Sequence, residues 1–170
     1  MGKAVISDCG RYRYTLHRDI PQPVRWVRPM LFVMLNPSTA DAEKDDATIR
    51  RCLAFAKREG CTSLTVVNLF AWRATDPKEL SENMANAVGP ENDRYIQEQV
   101  SKHGTGWIVA SWGAHPLAKD RAKRVIHLLG DVWCLGTTKD GSPKHPLYLS
   151  DKSPLKKLNW RSTEVQSPEK

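Results

Sequence analysis

A short apolar run that ends in an asparagine and a proline constrains the fold of this chain most strongly. Residues Leu31–Leu35 read LFVML, and Asn36 and Pro37 follow directly. The run is too short for an ordinary helix and contains Phe and Val, so it predicts a buried strand. Proline lacks a backbone N–H and disfavours helical geometry in the residue before it, so the strand must end at Asn36. Because ligands bind at the carboxyl ends of strands in open α/β sheets, Asn36 is a candidate site residue. In the alternative interpretation this segment is only a turn, with Ser38 or Asp41 as a helix cap.

The residues after this strand predict a helix and a second, parallel strand. Apolar residues recur with helical spacing at positions 49, 52, 53 and 56, and Asp45 and Asp46 precede them, where carboxylates favour a helix N-terminus. The two acids are therefore either caps or, because the loop before them is long and polar, part of a pocket wall. Residues 64–70 predict a second buried strand, and it reaches Asn68. A strand, a helix and a strand in succession form a βαβ unit, whose parallel strands bring Asn36 and Asn68 to one edge of the sheet.

The side chains near this edge suit a nucleobase. Each amide offers a donor and an acceptor together, as the edge of a base requires. Phe70, Trp72 and Arg73 follow Asn68, and their aromatic faces and guanidinium can stack on a base and hold a phosphate. Phe70 and Trp72 are equally compatible with places in the core.

Two more strands and a basic helix are predicted in the second half of the chain. Residues 107–113 and 131–136 predict strands, and residues 114–129 predict the helix between them. The loop after the fourth strand contains His145 and should lie at the same sheet edge, so we predict a functional role for this histidine. Basic residues of the helix and the loop form a candidate surface for nucleic-acid phosphates, although such a run is usually only a solvated face. They are Lys119, Arg121, Lys123, Arg124, Lys139 and Lys144.

Taken together, these patterns predict one α/β domain over residues 1–160 and a flexible tail over residues 161–170. The expected architecture has three layers, α/β/α, around a central, mostly parallel sheet of about four strands. Residues 11–17 alternate in polarity and predict a half-exposed edge strand whose arginines are solvated.

Charge and cysteine content narrow the classes of function. The formal charge of +7 over 170 residues is compatible with a polyanionic partner such as DNA or RNA. The four cysteines are scattered and lack the spacing of a zinc site, so we expect reduced, mostly buried thiols, with no metal and no cofactor. No window resembles a signal peptide or a membrane span, so we expect a cytoplasmic protein, and a monomer.

Four motifs carry a resemblance to known families. The segments LNPSTAD, VVNLFAWRATDP, ASWG and GSPKHPLYL strongly resemble the DUF1643 family across nearly the whole chain, and that resemblance names no activity. Their order also resembles, more remotely, the motif order of the uracil-DNA glycosylase superfamily. The remote resemblance implies that Asn36 positions the attacking water, that Asn68 recognises the base and that His145 stabilises the departing base.

The function implied by this resemblance is that of a DNA glycosylase-like protein, which recognises a modified or damaged base and hydrolyses its N-glycosidic bond. Two alternatives remain open: an enzyme that uses the same pocket for a free nucleoside or nucleotide, and a nucleic-acid-binding module without catalysis. The predicted catalytic residues are Asn36 and His145. The predicted substrate-binding residues are Asn68, Phe70, Trp72, Arg73, Ser38, Asp41 and Asp46.

Overall fold

The secondary structure is that of a mixed α/β protein. The structure, a computed structural model, describes residues 2–23 and 26–160. The strands are β1 (Gly2–Ile6), β2 (Arg13–Asp19), β3 (Pro29–Met34), β4 (Ser63–Asn68), β5 (Trp107–Ala110), β6 (Trp133–Cys134) and β7 (Lys156–Lys157). The helices are α1 (Ala47–Arg58), α2 (Pro77–Glu82), α3 (Met84–Ala87), α4 (Asn92–His103) and α5 (Ala118–Leu129), and a 3-10 turn spans Pro146–Tyr148.

A single mixed sheet contains all seven strands, in the order β1-β2-β4-β3-β5-β6-β7. Its four central strands, β4, β3, β5 and β6, are parallel, as predicted. The outer strands β1, β2 and β7 are antiparallel to their neighbours. The prediction of about four strands in the sheet was therefore too low, because β2, predicted as an edge strand, is inside the sheet and the short strands β1 and β7 were not recognised. The expected tail over residues 161–170 lies outside the described residues.

The predicted edge position of β2 was wrong. β1 pairs with β2 along its length, with Lys3 opposite His17, while β4 covers the other side. Arg13, expected to be solvated, is consequently buried with 2% of its surface exposed, and so is the neighbouring Arg18 with 8%. Arg11 is exposed, as expected. The N-terminal strand that produces this burial has only five residues, GKAVI, and its sequence carries little strand signal.

The alternation of side chains along β3 divides the apolar core between the two faces of the sheet. Leu31 and Val33 pack with the buried residues of α4 and α5. Met30, Phe32 and Met34 pack on the other face with the buried residues of α1. β3 is thus covered on both faces, as expected for a central parallel strand.

Helix α1 begins where the sequence predicted, whereas α5 begins later. The side chain of Asp46 accepts a hydrogen bond from the backbone N–H of Ile49 at 2.8 Å and caps α1. The predicted helix over 114–129 instead starts at Ala118. β5 also ends earlier than predicted, at Ala110, and Gly113 adopts a positive φ of 76° three residues later.

Three of the four cysteines have buried side chains. Cys52, Cys61 and Cys134 are buried and unpaired, as predicted, and Cys9 is exposed. Within the described ranges, the helices all fall short of the length and apolarity that crossing a membrane requires.

Candidate functional site

A cavity of about 280 Å³ lies at the carboxyl ends of β3 and β4. Five of the residues predicted from the sequence line it: Asn36, Ser38, Asp46, Asn68 and His145. The remaining lining residues are Arg13, Met34, Leu35, Thr48, Ile49, Ala74, Thr75 and Trp112. The cavity wall is therefore part polar and part apolar, as in sites that bind a small ring with polar edges.

Parallel pairing of β3 and β4 brings the two asparagines together. Met34 lies opposite Asn68 in the register, and Asn36 follows Met34 by two residues. The Nδ2 group of Asn36 donates to the carbonyl oxygens of Pro37 and Ala74, at 3.1 and 2.9 Å. Because both of its amide protons are used, Asn36 offers a ligand only its Oδ1 acceptor.

Asn68, unlike Asn36, has an amide nitrogen without a hydrogen-bond partner among the described residues. Its side chain is 1% exposed, and its buried Nδ2 has no hydrogen-bond partner in the part of the chain that the structure describes. The neighbouring backbone is held by Asn92, whose Nδ2 donates to the carbonyl oxygens of Asn68 and Leu69 at 2.9 and 3.1 Å. A buried amide donor without a partner is costly, so Asn68 is poised to donate to an acceptor that enters the cavity.

His145 lies on the loop after β6 and lines the cavity. The backbone N–H of Leu147 donates to its Nδ1 at 3.3 Å, so the proton of the neutral ring is on Nε2. Burial lowers the pKa of His145, and the nearby Asp46 carboxylate opposes part of that effect. The histidine is therefore a neutral Nε2–H donor at pH 7. The backbone N–H of Gly113 donates to the carbonyl oxygen of Pro143 at 2.9 Å, which joins the loop to the end of β5.

The sequence analysis missed the other eight lining residues, among them Arg13 and Trp112. Arg13 on β2 donates from Nη1 to the carbonyl oxygen of Ala40 at 2.7 Å, while its buried Nε lacks a partner within residues 2–23 and 26–160. Burial lowers the pKa of Arg13 to about 10, with Asp46 opposing the shift, so the side chain remains charged at pH 7. Trp112, 2% exposed, completes the apolar wall and packs edge-to-face on Trp160. The alternation around Arg13 resembled a solvated edge and gave no signal of this position.

Four predicted residues lie elsewhere. Phe70 is buried in the core, with 1% of its surface exposed. Trp72 and Arg73 line a second cavity of about 340 Å³, which shares Ser38 with the first. The Asp41 carboxylate accepts hydrogen bonds from the two backbone N–H groups at positions 43 and 44, and these bonds lower its pKa. Asp41 therefore stabilises the loop and does not line either cavity.

The predicted phosphate-binding residues divide into two groups. Arg121 is 9% exposed; its Nε donates to the carbonyl oxygen of Leu69 at 2.9 Å, and its guanidinium pairs with Asp93. This arginine holds α5 against α4 and the end of β4. The side chains of Lys119, Lys123, Arg124, Lys139 and Lys144 are exposed.

The fold and the site define a mixed α/β protein with a part polar, part apolar cavity at the carboxyl edge of its parallel strands. A family model described as "Protein of unknown function (DUF1643)" matches residues 13–147, and the chain belongs to this family. The match spans β2 to the 3-10 turn and includes every residue that lines the cavity. No curated protein and no solved structure matches the chain, and these comparisons give no support to the uracil-DNA glycosylase resemblance.

Proposed function

We propose that the first cavity binds a nucleobase and that the protein hydrolyses the N-glycosidic bond of a modified or damaged base in DNA. The observation that carries the proposal is the convergence of Asn36, Asn68 and His145 from three separate segments on one cavity. Each of the three offers a different hydrogen-bonding group: an acceptor on Asn36, an unpaired amide donor on Asn68 and an Nε2–H donor on His145.

The reaction requires charge to be stabilised at two places. As the C–N bond breaks, its electron pair moves to the base, and positive charge develops on the sugar. The donors on Asn68 and His145 stabilise the departing base, and they do so more strongly in the transition state than in the ground state.

Water completes the reaction at the sugar. The Oδ1 atom of Asn36 accepts a hydrogen bond from a water molecule and orients its oxygen toward the anomeric carbon. The bond between the water oxygen and the anomeric carbon forms as the bond between that carbon and the nitrogen of the base breaks. One water proton passes to the Asp46 carboxylate or to solvent, and the released base takes up one proton. A carbocation-like centre needs little deprotonation of the water, so an amide suffices to position it.

The surroundings of the cavity support the remaining parts of the proposal. Apolar side chains, with Trp112 and Ile49 among them, provide walls for a flat ring. The five exposed basic residues of α5 and the loop before His145 are proposed to hold the flanking phosphates of DNA from which the base has been extruded.

With α1 on one face of the sheet and α4 and α5 on the other, we also propose a three-layer architecture like that of uracil-DNA glycosylases.

Mass spectrometry of released bases tests the function. DNA oligonucleotides that carry uracil, hypoxanthine, alkylated bases or bulky pyrimidine modifications are incubated with the protein, and free bases are measured. We expect release of one class by the wild type and none by His145→Ala.

His115→Ala is the matched control for this experiment. His115 also accepts a hydrogen bond from a backbone N–H two residues later, at 3.3 Å from Leu117, but it lies outside the cavity. This variant should release base at the wild-type rate. Release by His145→Ala at that same rate would refute the assignment of the site. DNA binding that weakens with salt, without release of any base, would instead indicate a binding module.

A further inference from the structure

The buried arginines of this protein differ in whether they form an ion pair with a carboxylate. Among residues 2–23 and 26–160, three arginines are at most 9% exposed: Arg13, Arg18 and Arg121. Arg18 pairs with Asp45 at 2.8 Å, and Arg121 pairs with Asp93. Arg13 is the most buried of the three, and in the described part of the chain it makes no ion pair.

Arg13 feels the negative charge of Asp46 but forms no ion pair with it. The Asp46 carboxylate also lines the cavity, but it caps α1 through its bond to Ile49 and forms no ion pair with the guanidinium. The Coulombic effects of Arg18 and Arg73 add to the positive potential at Arg13, whereas Asp41 and Asp46 act against it. A buried charge without a counterion is strongly unfavourable, and proteins retain one mainly where a ligand supplies the missing charge.

Arg13 lines the cavity and keeps one donor atom without a partner. Its Nη1 is held by the carbonyl oxygen of Ala40, which fixes the guanidinium plane, while Nε–H is buried and unpaired within residues 2–23 and 26–160. Asn68, also in the wall, presents a second buried donor without a partner. Two unpaired donors, one of them charged, form a site for an oxyanion.

We propose that Arg13 binds an anionic oxygen of the ligand, so that the cavity takes a ring compound that carries a carboxylate or a phosphate. The inference rests on the proposed function for the ring and adds the charge of the substrate. The carboxylate source is an acidic substituent on the base; the phosphate source is the nucleotide itself. In both cases the ligand provides the counterion that Asp45 and Asp93 provide for the other two buried arginines.

Isothermal titration calorimetry with matched neutral and anionic ligands tests the proposal. The pairs are uracil and uracil-5-carboxylate, uridine and uridine 5′-monophosphate, and adenosine and adenosine 5′-monophosphate, with inorganic phosphate as a separate probe. A charge-assisted hydrogen bond to a buried guanidinium predicts that the anionic member of at least one pair binds about 10- to 100-fold more tightly. Preference for the carboxylate identifies an acidic base, and preference for the monophosphates identifies the nucleotide phosphate.

Variants assign the preference to Arg13. Arg13→Gln should reduce the ratio of the two affinities to about 1 by removing the charge. Arg13→Lys should keep part of it. Arg94→Gln, the same change at an exposed arginine on α4, should leave the ratio unaltered. If Arg13→Gln does not fold, the wild-type comparison of each pair still decides the question.

The results separate this inference from the proposed reaction. Equal affinities within every pair, no binding of any probe, or a preference that survives Arg13→Gln would overturn the inference. Release of neutral bases alone, without a preference for anionic ligands, would refute the inference but support the proposed hydrolysis. Anion binding that depends on Arg13, without release of base from any substrate, would support the inference and refute the hydrolysis.

Discussion

Arg18 on β2 pairs with Asp45 in the loop before α1, with 2.8 Å between Nε and Oδ1. The same guanidinium donates to the backbone carbonyl oxygens of Asp41 and Lys44. One buried side chain therefore holds the loop that contributes Ser38 to the cavity and leads into the Asp46 cap. The position of this loop depends on a residue of a distant strand.

Replacing Asp45 by asparagine should destabilise the protein. Asp45→Asn keeps the shape of the side chain but leaves the buried Arg18 without its counterion, so we expect the free energy of unfolding to fall by about 2–3 kcal/mol. Urea denaturation measures this change. Asp131→Asn is the control, because Asp131 pairs with Lys157 while 81% exposed, and its loss should cost less than about 0.5 kcal/mol. Equal losses in the two variants would show that the Arg18 pair does not hold the loop.

Two equally buried asparagines should respond in opposite ways to the same substitution. Asn68→Leu removes an amide whose Nδ2 is unpaired, so we expect stability to be unchanged or to rise by up to about 1 kcal/mol, while ligand binding is lost. Asn92→Leu removes two hydrogen bonds to buried carbonyl oxygens and should cost about 2–4 kcal/mol. Thermal and urea unfolding of both variants provide the comparison. A loss of stability in Asn68→Leu as large as in Asn92→Leu would mean that Asn68 serves the fold and not a ligand.

Asn36 should not tolerate a carboxylate, even though a carboxylate is the stronger base. Asn36→Asp places a negative oxygen against the carbonyl oxygens of Pro37 and Ala74, which now accept from the amide. We expect a loss of about 2 kcal/mol at pH 7 that shrinks at low pH, where the protonated acid donates again. Unfolding at pH 7 and pH 4.5 measures the difference, and the exposed Asn86→Asp is the control. An unchanged stability at pH 7 would contradict the orientation of the Asn36 amide.

Stability should fall when the pH is lowered through the range in which histidines titrate. Burial lowers the pKa of His103, partly opposed by its hydrogen bond to the carbonyl oxygen of Trp107, and burial likewise lowers the pKa of His145. Because both values lie below the unfolded value of about 6.5, the unfolded chain binds protons first, and folding loses free energy as the pH falls below about 6.5.

Thermal unfolding between about pH 7.5 and pH 5 tests this dependence, with an expected decrease of a few degrees in the midpoint. His103→Gln should flatten the dependence because it removes one of the two groups. His127→Gln, at an exposed position on α5, should leave it as in the wild type. A midpoint that rises as the pH falls would contradict the lowered pKa values of these two histidines.

Local sequence patterns predicted the centre of the fold well and its edges poorly. The apolar strands β3 and β4, the amphipathic helix α1 and its Asp46 cap were all identified, because each depends on neighbouring residues. β1 and β7 were not identified; β1 has five residues and β7 only two, and each pairs with a single neighbouring strand. Strands this short show little alternation of apolar and polar residues from which a strand could be predicted.

The candidate site shows the same division between local and tertiary information. Asn36, Asn68 and His145 were placed at one edge from the sequence, because parallel strands all end on the same side of a sheet. Arg121 and Arg73 are both basic and follow apolar segments, yet one is buried against Asp93 and the other lines a neighbouring cavity. Their positions depend on how α4, α5 and β2 pack, and that packing involves residues far apart in the chain.

The sequence by itself determined which strands are parallel, where they end and which amides and histidine stand at their ends, since these depend on runs of adjacent residues and on proline. Only the tertiary structure decided that Arg13 faces the cavity, buried and without a counterion. The burial of a charge is a sum over all neighbours in space, and β1, Ala71 and the loop at Ala40 supply those neighbours from three distant parts of the chain.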